Sequence, residues 1–236
     1  MNERFSTQQL IMLAISLAFW WMLLGSIEMA AGFLALLFVH EMGHVMAARQ
    51  KNLAVSMPSF TPFGAYVVTE EARSAADEAY VKLAGPIVGG LASLAVLAIG
   101  ATIGSPTMAQ LGFYSTLLNL FNLIPLDPMD GGGVTQAVSK WFAIPGVLAF
   151  AYAMFGVFGA NPINIVFGVM IAMQSYQAFQ YREYQRGARP SYYRLSPSRK
   201  VAILASYAVV AGALGWVCLN VGDFLKMVAI ALNFGG

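Results

Sequence analysis

The sequence predicts an all-α polytopic membrane protein of six to seven transmembrane helices with a small membrane-associated β element. Three observations carry this reading. Of 236 residues, 58% are hydrophobic and only 10% are charged, against roughly a quarter charged in a soluble domain. Mean hydropathy is +0.67. Several apolar runs approach or exceed the roughly 18 residues that cross a bilayer.

Taken in order, hydropathy and helix breakers place membrane segments near 8–27, 29–48, 82–104, 107–125, 141–160, 162–181 and 201–220. The first could be taken for a signal peptide. Its apolar stretch, Leu10 to Ile27, is longer than a signal core and lacks a small-x-small cleavage site, so it reads as a helix. Residues 52–81 are different. Their β-prone start around Pro58, Pro62 and Gly64 predicts a strand-and-turn element, with a short polar helix through Asp77 and Glu78 after it. "ANPIN", 160–164, reads as a tight turn, and 182–200 as a basic polar loop. The tail Phe224–Phe234 is too short to span and is expected at the interface.

The positive charges set an orientation. With a cytoplasmic N-terminus the inner segments hold Arg4, Arg49, Lys51, Arg73, Lys82, Lys140, Arg182, Arg186, Arg189, Arg194, Arg199 and Lys200, and the outer segments only Lys226. Twelve against one is the bias of positively charged inner loops. These residues flank membrane segments instead of forming a basic domain, so no nucleic-acid partner is expected. The one cysteine, Cys218, excludes an internal disulfide and a multi-cysteine metal site.

"FVHEMGHVMAARQ", 38–50, contains His-Glu-x-x-His at the end of an apolar run. Residues four apart share a helix face, so His40 and His44 can present two imidazoles to one ion. Glu41 stands beside them, where a carboxylate can take a proton from an activated water. These two histidines are the only ones in the chain, and buried ionisable groups in membrane helices are costly and functional by default. A catalytic zinc takes three protein ligands, so the third should be a carboxylate. Glu70, Glu71, Asp77 and Glu78 follow within one loop; Asp127 and Asp130 lie in "NLIPLDPMDGGG", 122–133. There a membrane segment is interrupted by Pro125 and Pro128 and then Gly131–Gly133. Irregular backbone at membrane depth is tolerated only within protein or beside a watery cavity.

Together the motifs resemble the site-2 protease family of intramembrane zinc metalloproteases. "HEMGH" lies in a membrane segment, "NLIPLDPMDGG" is similar to the family's Asn-x-x-Pro and Pro-x-Asp-Gly stretch, and "AGPIVGG", 84–90, resembles the Gly-Pro start of its central helix. Gly85 and Gly89 alone would only suggest close helix packing. The resemblance covers roughly 29–135, the family's three-helix metalloprotease core. It leaves 1–28 as an N-terminal transmembrane helix and 136–236 as C-terminal transmembrane helices with the basic cytoplasmic loop 182–200.

The resemblance implies one Zn²⁺ per chain held by His40, His44 and Asp130, with Glu41 as general base. Asn122 would orient substrate or assist the oxyanion. Asp130 is favoured over Asp127 because it precedes Gly131 and stands eight residues after Asn122. The implied reaction is hydrolysis of peptide bonds in a single-span membrane protein near the cytoplasmic side, as in regulated intramembrane proteolysis. The setting implied is a prokaryotic cytoplasmic membrane. No PDZ domain fits between 52 and 81, and no nucleotide-binding regulatory domain follows the last segment, so control is expected from another membrane protein. An edge strand within Val55–Val68 is the candidate for pairing with unwound substrate. The rival reading is a transporter or scaffold that keeps a zinc site without proteolysis.

Overall fold

Ser6 starts the described chain as a helix cap. Its hydroxyl accepts from the Gln9 amide while the Gln9 side chain accepts from the Ser6 amide, so two otherwise unpaired donors are satisfied. The computed structural model describes residues 6–62, 64–157, 159 and 161–225. Helix α1 (Thr7–Leu24) ends on Gly25 at φ 72°, a left-handed conformation that favours glycine. Ser26 then caps α2 (Ile27–Gln50). A hairpin of β1 (Ser59–Thr61) and β2 (Gly64–Tyr66) follows, then α3 (Ala75–Thr102), α4 (Pro106–Asn122), α5 (Asp130–Val138), α6 (Ala143–Ala151), α7 (Pro162–Ala188) and α8 (Pro197–Leu219).

The chain divides into two units. The first comprises Met1–Glu70, Ala84–Leu120 and Val210–Gly236; the second comprises Glu71–Leu83 and Phe121–Val209. In the first, α1 packs on α2 and β1. Leu34 and Leu37 of α2 bury against Phe60 of β1, with Leu13, Leu17, Trp20 and Leu118 around them. The strands are antiparallel, Ser59 opposite Tyr66 and Thr61 opposite Gly64. Main-chain bonds from Ser56 to Val68 and from Glu70 to Ala54 extend the pairing beyond them. The hairpin is therefore pinned to the helix that carries the His-Glu-x-x-His motif. Here α3 and α4 meet through glycines: a Cβ at Gly112 would lie 2.3 Å from the Leu97 amide nitrogen, and one at Gly100 would lie 2.4 Å from that of Ala109.

In the second unit, Leu126, Met129, Phe150, Met154 and Ile171 form the core. The turn 123–129 folds back on α5 so tightly that a Cβ at Gly131 would lie 2.1 Å from the Leu123 carbonyl oxygen. Gly131–Gly133 were expected to open the backbone. Instead they are buried in the first turns of a helix, because a missing side chain permits close packing as readily as it permits a break.

Three further sequence expectations change. Asp77 and Glu78 belong to the first turn of the long helix α3, not to a separate short helix. The region 141–160 is a 3-10 turn at Lys140–Phe142, then α6, then a π-helical stretch at Tyr152–Val157. Residues 182–188 continue α7, and α8 begins at Pro197, so only 189–196 of the expected basic loop joins two helices. The expected interfacial tail falls almost wholly at 226–236, outside the described residues. Among the described residues, four helices are long and apolar enough to cross a membrane: α1, α2, α3 and α8.

Candidate metal centre

The first unit holds the His-Glu-x-x-His motif on the buried side of α2. His40, Glu41 and His44 are 2%, 6% and 5% exposed. One helical turn separates the histidines, and their rings meet nearly edge to face, at 82°. The two Nε2 atoms face each other at 3.2 Å. Facing ring nitrogens need a proton or a cation between them, since both cannot offer lone pairs to one another unaided. Zinc fits: two Zn–N bonds of about 2.0–2.1 Å spanning that distance enclose an angle of about 100–106°, close to tetrahedral.

The space for this arrangement comes from α3. A Cβ at Gly85 would lie 2.3 Å from Cε1 and Nε2 of His44 and 2.9 Å from Nε2 of His40. A Cβ at Gly89 would lie 2.5 Å from Oδ1 of Asn119 and 2.8 Å from Cβ of His40. The two glycines look, in sequence, like a helix-packing pair. What they clear is room for the histidines. Asn119, fully buried on α4, places its Oδ1 2.8 Å from Nδ1 of His40. No motif pointed to Asn119. The available signal was Ser115 and Asn119, two polar residues one turn apart in a long apolar run of the sequence.

The second unit holds the aspartates. Asp130 opens α5, buried, with the Lys82 ammonium 3.2 Å from Oδ1. A carboxylate in the first turn also lies at the favourable end of the helix dipole. Asp127 is engaged otherwise. Arg182 donates to both its oxygens, at 2.7 and 3.1 Å, and Gln136 donates to Oδ2 at 2.9 Å. Arg182 also binds Glu78 through two nitrogens, and Tyr192 donates to the same carboxylate. Burial and that carboxylate push the Tyr192 phenol well above its ordinary pKa. Asn122 is half-buried as the last residue of α4.

The remaining carboxylates have other roles. Glu70 accepts from the Ala54 amide at the base of the hairpin, in the first unit. In the second, Glu71 pairs with Arg189 at the surface and Asp77 accepts from Ser74 at the start of α3. A catalytic zinc takes donors of the kinds found here, imidazoles such as His40 and His44 in the first unit and a buried carboxylate such as Asp130 in the second.

Part of the chain is similar to known proteins. Residues 28–109 match peptidase family M50. That is the family of the site-2 proteases, and the matched residues include the motif of α2 and the glycines of α3. A protein of Synechocystis sp. that carries the provisional name zinc metalloprotease is 29% identical over 153 residues, covering 56% of this chain and 40% of its own length. A zinc metalloprotease of Methanocaldococcus jannaschii is 27% identical over 156 residues, covering 58% of this chain and 46% of its own. The chain thus spans less than half the length of either relative.

Proposed function

We propose that the protein is an intramembrane zinc endopeptidase in which His40, His44 and Asp130 hold one Zn²⁺ and Glu41 is the general base. The observation that carries this reading is the facing pair of Nε2 atoms, 3.2 Å apart and buried in a helix that is itself long and apolar enough to span. Zinc in such a site supplies a Lewis acid and brings a water to a pKa of about 7. Glu41 takes the proton of the attacking water and delivers it to the leaving amine. Asn122, five residues before Asp127 and eight before Asp130, is the proposed partner of the developing oxyanion.

The setting supports a substrate class. A site on a membrane helix meets other membrane helices, which supports a single-span membrane protein as the proposed substrate, and the charge bias supports a cut near the cytoplasmic side. Helical peptide bonds are already hydrogen-bonded and resist attack, so the substrate must unwind. The hairpin of β1 and β2 is the proposed template, since a two-stranded sheet leaves outer edges for a third strand. Proline substitutions within β2 should slow cleavage and leave bound zinc unchanged. The proposed topology has six to seven spans and a cytoplasmic N-terminus, supported by twelve positive charges against one. Regulation would come from a second membrane protein.

Comparison of membrane proteomes from cells carrying wild type or Glu41→Gln tests the function. A single-span protein that accumulates uncut only with the variant supports it. Identical proteomes across growth conditions, with zinc bound in both proteins, would favour a non-proteolytic zinc site.

A further inference from the structure

Within the first unit, a chain of buried polar side chains runs from α3 through α4 to the histidine of α2. The Asn119 amide nitrogen donates to the Ser115 carbonyl at 2.8 Å and to Ser93 Oγ at 3.3 Å. Ser93 donates to the Gly89 carbonyl at 2.6 Å, so its oxygen is left to accept. The Ser93 and Ser115 hydroxyl oxygens lie 2.7 Å apart, within hydrogen-bond distance. Ser93, Ser115 and Asn119 are all essentially inaccessible to solvent. Buried polar groups without partners are costly, more so at membrane depth, and here each one has a partner.

These bonds leave no freedom in how the Asn119 amide points. A carbonyl can only accept, so the atom facing Ser115 must be the NH₂ group, and the other atom, facing His40, must be the oxygen. An amide oxygen can only accept in turn. The hydrogen of the neutral His40 ring therefore sits on Nδ1, and the lone pair sits on Nε2, the atom directed at His44.

We propose that Asn119 is a positioning residue for His40. Through its contact with Nδ1 it selects the tautomer and fixes the ring plane so that Nε2 is presented as a ready ligand. Ser93 and Ser115 act one step further out, orienting the amide. The inference rests on the zinc reading for its purpose, but the tautomer itself is a property of the metal-free protein. Loss of such a supporting bond to a ligating histidine typically costs about 10–100-fold in metal affinity. The supporting bond is usually made to a carboxylate or a main-chain carbonyl; here it goes to an amide held by the Ser115 main-chain carbonyl and the Ser93 hydroxyl.

The test uses the full chain in detergent micelles with ¹⁵N-histidine. Only His40 and His44 carry the label, so the spectrum holds two rings. In metal-free wild type, His40 should show the hydrogen on Nδ1. In Asn119→Leu, which keeps the volume and removes the acceptor, the ring should shift toward the other tautomer. Zinc affinity, read by chelator competition, should fall about 10–100-fold. Asn119→Asp retains an acceptor toward Nδ1 and should recover most of that affinity. Ser115→Ala, a milder change, should weaken zinc less than Asn119→Leu. Wild-type tautomer and affinity in Asn119→Leu would overturn the proposal, as would a loss in Asn119→Asp equal to that in Asn119→Leu with both proteins folded. If wild type shows the Nδ1 tautomer but binds no zinc, the metal reading fails and the positioning contact stands.

Discussion

Gly85→Ala adds one methyl group where the two imidazoles meet. The new Cβ would lie 2.3 Å from Nε2 of His44, and ordinary contact begins at 3.4 Å, so the ring must retreat by about 1.1 Å, the difference of the two. Zinc–ligand distances tolerate about ±0.2 Å. The displacement is several times larger, and the methyl also presses on His40, so retreat of one ring does not restore the pair. The fold should survive. Alanine gains about 1 kcal/mol over glycine in helix propensity, which offsets part of an overpacking cost of about 1–3 kcal/mol. The expected result is metal-free protein that melts near wild type while its zinc affinity falls by more than the roughly 100-fold upper range for losing a supporting bond. The assays are zinc per chain by elemental analysis, chelator competition, and thermal melting without metal. Wild-type zinc affinity in Gly85→Ala would refute the reasoning, because no ion could then be held between those nitrogens.

Other expectations separate ligand from scaffold. Asp130→Ala should lose stoichiometric zinc, whereas Asp127→Asn should keep it and melt lower, because Asp127 already serves Arg182 and Gln136; elemental analysis distinguishes the two. Arg182→Met leaves the Asp127 and Glu78 carboxylates without their shared partner and should cost about 3–5 kcal/mol, read as a lowered melting temperature. Tyr192→Phe removes a hydrogen bond to a charged acceptor and should cost about 1.5–3 kcal/mol by the same measurement.

Some of this was legible in the sequence because the chemistry uses scarce residues. With two histidines in the whole chain, four positions apart, His40 and His44 could hardly be missed, and the first helices follow from long apolar runs between Gly25, Ser26 and the polar residues after Arg49. What hydropathy hides is polarity satisfied internally. Arg182 read as part of a basic loop, yet its guanidinium lies inside the second unit, holding two carboxylates, and α7 continues through it. Asn119 was silent for the same reason, since its partners come from residues 4, 26 and 79 positions away in sequence. The glycines misled in both directions. Gly85 and Gly89 looked like generic packing and turn out to make room for the histidines and Asn119, while Gly131–Gly133 looked like an opening and are a close contact. A missing side chain says that something approaches; only the fold says what.

X-ray absorption at the zinc edge of the purified protein tests the central claim most directly. The account predicts one zinc per chain, with two imidazole nitrogens at about 2.0–2.1 Å and oxygen ligands at about 2.0–2.2 Å. A shell with a sulfur ligand, a single imidazole, or no bound zinc after reconstitution would contradict it.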